Sequence, residues 1–129
     1  MRENEIGTVV VESAIEVHRC LGNGLLESVY ESALSIELVD RGLRTECQVP
    51  IEVEYKGHSL DQGFRADLIV EEIVIVELKS VETISQIHKK QIQTYLNLSG
   101  LRLGYLLNFG SALMKKGIYR CVNNLPEEG

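Results

Sequence analysis

The chain of 129 residues is short of several residue types, and each shortage narrows the class of protein. It has no tryptophan, and aromatic residues make up only 5% of it, so a platform that stacks single-stranded bases is not expected. Its three cysteines, Cys20, Cys47 and Cys121, lie far apart and form no CxxC pair, which argues against a disulfide framework and a zinc site. We expect all three to be small buried side chains.

Long apolar runs are missing as well, so no predicted helix is apolar enough to span a bilayer. The first residues carry two glutamates and lead into only three valines, Val9 to Val11, which is not the apolar segment of a signal peptide. These features predict a soluble cytoplasmic protein that does not enter a membrane. The length predicts one domain over residues 1–122, followed by a frayed tail over residues 123–129.

What the chain does have is an uneven distribution of charge. Residues 1–77 contain 6 Lys and Arg against 16 Asp and Glu, whereas residues 78–129 contain 7 against 3. The formal net charge of −6 argues against a nucleic-acid-binding protein, but it is the sum of an acidic first part and a basic last part. The basic part leaves room for a local surface that binds phosphate.

The hydrophobic periodicity predicts three helices and five strands in the order ααβββαββ. The helices are expected over residues 4–21, 25–41 and 84–99. The strands are expected over residues 45–55, 59–70, 73–79, 102–109 and 117–122. Because this order combines hairpins with a helical crossover, it predicts a mixed α+β fold of the α/β class, built in layers.

Turn and capping residues mark where these elements begin and end. Asn4 is the expected N-cap of the first helix, and Thr83 or Ser85 that of the third. Lys56-Gly57 is typical of a hairpin turn, and Glu71-Glu72 is expected to turn the chain between two strands.

The stretch over residues 45–55 alternates between apolar and polar side chains, which predicts one long strand with one wet face. The alternation places Cys47 and Val49 on the same, buried face. Pro50 cannot donate a backbone hydrogen bond, so it indicates a sheet edge or a bulge at that position.

The most informative polar residues are Asp67, Glu77 and Lys79. Glu77 and Lys79 are two residues apart at the end of the most apolar strand, so both point to the same face. A tight turn at Glu71-Glu72 would make the preceding strand its neighbour, and Asp67 could then face Glu77. Two adjacent carboxylates with oxygen-only ligation suit Mg²⁺ or Mn²⁺. The alternative is an ordinary Asp/Glu–Lys ion pair at a strand end.

Three further polar residues lie on predicted helices. Glu27 falls in the first turn of the second helix, where a glutamate more simply stabilises the helix N-terminus. Gln91 and Tyr95 are four residues apart on one face of the third helix, where a tyrosine is more often part of the core.

In this combination the sequence resembles the GxxExxY family of the PD-(D/E)XK nuclease superfamily. Each motif alone is weak, but five of them in this order are specific, and together they cover about residues 4–122. They are Gly24-Leu-Leu-Glu27-Ser-Val-Tyr30, Phe-Arg-Ala-Asp67-Leu, Val-Glu77-Leu-Lys79-Ser, Gln91-Ile-Gln-Thr-Tyr95-Leu and Gly-Tyr-Leu-Leu-Asn108-Phe109-Gly. In one departure, Ala66 stands where the superfamily pattern has proline.

The resemblance implies a restriction-endonuclease-like three-layer core with a central mixed sheet of about five strands flanked by helices. It implies that Asp67 and Glu77 bind Mg²⁺ or Mn²⁺, with the backbone carbonyl of Leu78 completing the site and Glu27 joining through water. Lys79 would orient or deprotonate the attacking water. The helix residues that would line the same cleft are Gln91 and Tyr95.

The function implied is Mg²⁺-dependent hydrolysis of phosphodiester bonds, in DNA rather than RNA. The basic residues after the central strand are expected to contact the nucleic acid: Lys89, Lys90, Arg102, Lys115 and Lys116. A small catalytic domain that cuts both strands is often a symmetric homodimer.

Two other functions stay open at this point, because a fold does not fix a function. The first is a catalytically silent module of nuclease-like fold that binds nucleic acid or a protein; the net charge and the lack of a targeting motif favour a protein partner. The second is a metal enzyme that acts on another phosphoester or on a small substrate.

Overall fold

The computed structural model describes residues 1–60 and 64–126. Three α-helices are formed by α1 (Glu3–Leu21), α2 (Glu27–Asp40) and α3 (Gln86–Ser99). Seven strands are formed by β1 (Thr45–Pro50), β2 (Val53–Tyr55), β3 (His58–Leu60), β4 (Arg65–Val70), β5 (Val74–Lys79), β6 (Leu103–Asn108) and β7 (Ile118–Val122). A 3₁₀ turn, Met114–Gly117, precedes β7. None of the described helices is long and apolar enough to span a membrane.

Five of the strands form one mixed sheet in the order β1-β4-β5-β6-β7. The β5–β6 pair is parallel and is connected through α3, whereas the other three pairs are antiparallel. β2 and β3 form a separate hairpin. The mixed α+β class and the five-stranded central sheet are therefore as predicted, and they are consistent with the restriction-endonuclease-like fold.

Two apolar clusters hold helices against opposite faces of the sheet. One joins α1 and α2 to residues such as Leu68, Val76 and Leu78. The other joins α3 to residues such as Ile69 and Ile75. Because β5 lies in the middle and is covered on both sides, its residues from Val74 to Leu78 are buried, including the polar Glu77.

Local signals place most of the element ends correctly. Ser85 is the N-cap of α3 and its hydroxyl accepts a hydrogen bond from the backbone N–H of His88. Glu71 and Glu72 both have positive φ, at 52° and 64°, and turn the chain from β4 into β5. Asn4 is not the N-cap of α1, because the helix begins one residue earlier and Arg2 takes that position.

The two strands predicted over residues 45–55 and 59–70 are each divided. β1 ends at Pro50, on the edge of the central sheet, and β2 begins at Val53 in the hairpin. The strand predicted over residues 59–70 corresponds to β3 and β4, and residues 61–63 lie outside the described part of the chain. Residues 127–129 of the predicted tail also lie outside it.

The predicted alternation fails inside β1 as well. Gln48 has a φ of 52°, a left-handed conformation that reverses the alternation at this point. The Cys47 thiol lies 3.8 Å from the Ser35 hydroxyl of α2, whereas Val49 packs on the cluster under α3. The prediction that all three cysteines are buried is therefore wrong for Cys47, and also for Cys20, which is on the exposed side of α1; only Cys121 is buried.

Candidate active site

The candidate site lies where the ladder between β4 and β5 ends. The last paired residues are Leu68 and Val76, and beyond them side chains accept the backbone hydrogen bonds. The N–H of Asp67 donates to Oε2 of Glu77 at 3.1 Å, and the N–H of Leu78 donates to Oδ2 of Asp67 at 2.9 Å. The two predicted carboxylates are thus held against each other at the fork between two central strands.

Burial makes ionisation of this pair energetically unfavourable. Glu77 is only 5% exposed, and burial together with the neighbouring Asp67 carboxyl raises the pKa of Glu77 to about 9. Its side chain lies on the same face of the sheet as that of Ile75, the face that α3 covers. An added positive charge between the two carboxyls would favour the ionised form and so oppose the rise in this pKa.

Lys79 ends β5 two residues after Glu77 and is half-buried. Its ammonium lowers the pKa of Glu77, although less than burial and Asp67 raise it. Within residues 1–60 and 64–126, however, Lys79 forms no ion pair. The alternative of a simple Asp/Glu–Lys ion pair at the strand end is therefore not what the structure contains.

The two α3 residues reach the same site. Nε2 of Gln91 donates to the hydroxyl of Tyr95 at 3.0 Å. Burial raises the pKa of Tyr95, and the negative charges of Glu77 and Asp67 raise it further. Tyr95 is also packed in the core beneath α3, as the structural interpretation of this residue expects.

On α2 the structure brings a different glutamate to the site. Glu27 is exposed, and its side chain forms no hydrogen bond or ion pair with another residue in the described part of the chain. Glu31, one helical turn later, accepts a hydrogen bond of 2.7 Å from Nε2 of Gln48, and the same nitrogen lies 3.3 Å from Oδ1 of Asp67. The pKa of Glu31 is raised by burial and by Asp67, while the Gln48 bond opposes the rise.

Glu31 and Gln48 were not among the site residues predicted from the sequence. The one signal for Glu31 was its i+4 spacing from Glu27, which puts both on one face of the helix. No local signal pointed to Gln48, because its position depends on the left-handed backbone of β1 and on how α2 packs.

The other residues of the motif that contains Glu27 have a structural role. The Tyr30 hydroxyl donates to the carbonyl of Gly22 at 2.6 Å and accepts from the N–H of Leu25 at 3.1 Å. Its ring stacks on Phe109, with centroids 4.5 Å apart. The Ser80 hydroxyl donates to the Leu25 carbonyl at 2.7 Å, so this loop is fastened to the residue that follows Lys79.

The predicted basic residues do not form one surface. Lys89 and Lys116 line the same cavity, of about 280 Å³, beside the ends of β6 and β7; we call it the Lys89–Lys116 cavity. Lys115 lines a separate groove next to α1. Arg102 precedes β6 and so lies at the opposite end of the sheet from Lys79, and Lys90 is exposed and lines neither of these cavities.

The donors at the fork fit a hard divalent cation. The carboxylates of Asp67 and Glu77 offer only oxygen, the ligand that Mg²⁺ and Mn²⁺ prefer. No third Asp, Glu, His or Cys joins them closely enough to complete a cluster among the described residues. Any further ligands would therefore be backbone oxygen, such as the predicted Leu78 carbonyl, or water.

The comparisons with known proteins give one finding. Residues 4–121 match the family model of the PD-(D/E)XK nuclease superfamily. No curated protein and no solved structure gives a significant match.

Proposed function

The chain belongs to the PD-(D/E)XK nuclease superfamily, and from this premise we propose that it is a metal-dependent nuclease that hydrolyses phosphodiester bonds in DNA. The observation that carries the proposal is the carboxyl pair at the strand fork, in which Glu77 is buried and Asp67 half-buried, with no cation from the described residues paired to it. We further propose that the chain is of the GxxExxY type, on the strength of Gly24, Glu27 and Tyr30.

In this proposal Asp67 and Glu77 hold Mg²⁺ or Mn²⁺ through carboxylate oxygens, with the Leu78 carbonyl as a further ligand. When bound, the cation would acidify a water molecule and offset negative charge on the phosphate. Glu31 takes the place expected for Glu27, because it is the α2 carboxylate that is linked to Asp67.

The protein residues position the other reactants. Lys79 lies on the same side of β5 as Glu77, where its ammonium can orient the attacking water and bind a phosphate oxygen. The water oxygen forms a bond to phosphorus, the bond to the leaving oxygen breaks, and the proton released from the water ends on solvent or on the leaving oxygen. Gln91 and Tyr95 would line the same cleft and offer an amide and a hydroxyl to the substrate.

The proposal is tested by separating metal binding from cleavage. Calorimetric titration with Mg²⁺ or Mn²⁺ should show binding in the wild type and no binding in Asp67→Asn. Lys79→Gln should still bind metal, but should cleave duplex DNA at least about 100-fold more slowly, the scale of loss of a positioned acid–base group. The matched controls Asp40→Asn and Lys56→Gln change the same charges at the end of α2 and in the β2–β3 turn.

Two results would contradict the nuclease proposal. One is wild-type protein that binds metal but cleaves neither DNA nor RNA; the other is cleavage that survives in Asp67→Asn. Retained DNA binding without any cleavage would favour the alternative of a catalytically silent nucleic-acid-binding module.

A further inference from the structure

The Lys89–Lys116 cavity opens on the same face of the sheet as Glu77. Tyr119, one of its lining residues, packs on the apolar cluster beneath α3, and Ile75, two residues before Glu77, belongs to that cluster. Asn108, which also lines the cavity, is the direct partner of Lys79 in the parallel ladder between β5 and β6. The cavity therefore adjoins the candidate active site.

The spacing between strands gives the distance from the Lys89–Lys116 cavity to the candidate active site. β7 lies two strands away from β5, and neighbouring strands are about 4.8 Å apart, so the separation is about 10 Å. A DNA strand rises about 3.4 Å per nucleotide along the helix axis, so the separation corresponds to at most about three nucleotides.

The charges and size of the cavity suit a phosphate group. Lys89 and Lys116 bring two ammonium groups, and neither forms an ion pair with a carboxylate of the described residues. The Lys89 ammonium is held 5.0 Å from the centre of the Tyr119 ring, an attractive arrangement. One carboxylate, that of the exposed Glu82, is also in the lining, so the two lysines outnumber it.

Hydroxyl groups add hydrogen-bond donors to the two charges. Thr83 and Ser111 line the cavity, and the volume of about 280 Å³ is just below the range of about 300–1,000 Å³ of small-molecule pockets. This space accommodates a phosphate and its sugar, but not a duplex.

We infer that the Lys89–Lys116 cavity binds a backbone phosphate of the DNA strand, at most about three nucleotides from the bond that is cut. The inference rests on the proposed function, because it is that function which puts a DNA strand at Asp67 and Glu77. A filled cavity would fix the strand on the enzyme and so align the scissile phosphate with Lys79.

The test is a scan with neutral linkages. Single methylphosphonates replace, one at a time, each phosphate in a window along one strand of a labelled DNA duplex; where the duplex is cleaved, the window spans three positions on either side of the cleaved bond. Binding is measured by fluorescence anisotropy with Ca²⁺ in place of Mg²⁺. Wild-type protein should lose about 10-fold or more in affinity at one position within this window, since a hydrogen bond to a charged group is lost.

Matched double variants then test whether the lysines of the cavity contact the phosphate at that position. Lys89→Ala/Lys116→Ala should be insensitive to the neutral linkage at that position, and the slope of log affinity against log salt should fall by about 0.9, the value for one phosphate contact. The control Lys90→Ala/Lys115→Ala removes the two neighbouring charges and should keep the sensitivity. Lys89→Arg/Lys116→Arg keeps the charges and should also keep the sensitivity. An unfolded alanine variant would lose affinity for every duplex in the scan, whereas the inference expects a loss of sensitivity at one position only.

The inference is overturned if the alanine variant keeps the wild-type sensitivity, if the control loses it equally, or if the wild type is sensitive at no position. These results are independent of cleavage. A wild type that shows the expected scan in Ca²⁺ but does not cleave in Mg²⁺ would refute the nuclease proposal and leave the phosphate-binding cavity in place.

Discussion

At the scale of single residues, the amide of Gln48 bridges two carboxylates that belong to different elements. Its nitrogen faces Glu31 of α2 and Asp67 of β4, at 2.7 Å and 3.3 Å. An amide can donate two hydrogen bonds, so it partly offsets the negative charges that a cation would otherwise balance. Gln48 adopts its left-handed backbone to do so, which is uncommon for a residue other than glycine.

This geometry distinguishes Glu31 from Glu27. We predict that Glu31→Gln weakens Mg²⁺ affinity or DNA cleavage by about 10–100-fold, the usual effect of removing a group that orients a metal ligand. Glu27→Gln, its matched control one turn earlier on α2, should cost less than about 3-fold on the same scale. The measurements are calorimetric titration and initial cleavage rates; equal losses in both variants, or a larger loss in Glu27→Gln, would contradict the assignment.

At the scale of elements, the loop after β5 is fastened to the end of β6 by one side chain. Oδ1 of Asn108 accepts from the N–H groups of Val81 and Gly110, both at 3.0 Å, and its Nδ2 donates to the Val81 carbonyl at 2.9 Å. Asn108 is 2% exposed, so water cannot readily replace these bonds. The bonds hold the segment that leads from Lys79 towards α3.

We therefore predict that Asn108→Ala lowers the free energy of unfolding by about 2–4 kcal/mol, because backbone groups that are buried without a partner cost about 1–3 kcal/mol each. Denaturant unfolding measures this loss. Asn97→Ala, on the exposed side of α3, is the control and should change stability by less than about 0.5 kcal/mol. A fully stable Asn108→Ala variant would show that the loop is held by other contacts.

At the scale of the whole molecule, the buried Glu77 makes stability depend on pH. Its pKa is raised from the ordinary 4.5 to about 9, by burial first and by Asp67 second, so the folded state binds the proton more tightly than the unfolded chain. Without metal, the stability that this proton provides is complete below about pH 4.5 and is lost as the pH rises towards 9. Metal binding near neutral pH should release this proton.

The corresponding variant is Glu77→Gln, in which an amide replaces the neutral acid at every pH. In buffer with a chelator, the Tm of this variant should exceed that of the wild type by several degrees at pH 8.5, and the difference should shrink towards pH 5, since about 1 kcal/mol moves Tm by a few degrees in a domain of this size. Thermal unfolding followed by circular dichroism from pH 5 to 9 measures it. Glu46→Gln, on the exposed edge strand, serves as the control, and a gap that does not change with pH would contradict the raised pKa.

The sequence by itself determined the parts of this protein that depend on neighbouring residues. Helical spacing, the Ser85 cap and the turns at Lys56-Gly57 and Glu71-Glu72 are local features, and the structure has them where they were predicted. The tight Glu71-Glu72 turn also makes β4 and β5 neighbours, which is why the proximity of Asp67 and Glu77 could be foreseen.

Only the tertiary structure decided which more distant groups meet. The left-handed Gln48 reverses the faces of β1, so Cys47 is exposed. The predicted long strand is divided further along, between Pro50 and Val53, where the chain leaves the central sheet for the hairpin. The packing of α2 brings Glu31 rather than Glu27 to Asp67. Of the basic residues predicted to contact nucleic acid, Lys89 and Lys116 line one cavity and Lys115 lines a separate groove. Such contacts depend on how helices and strands pack across the sheet, and periodicity carries no information about that packing.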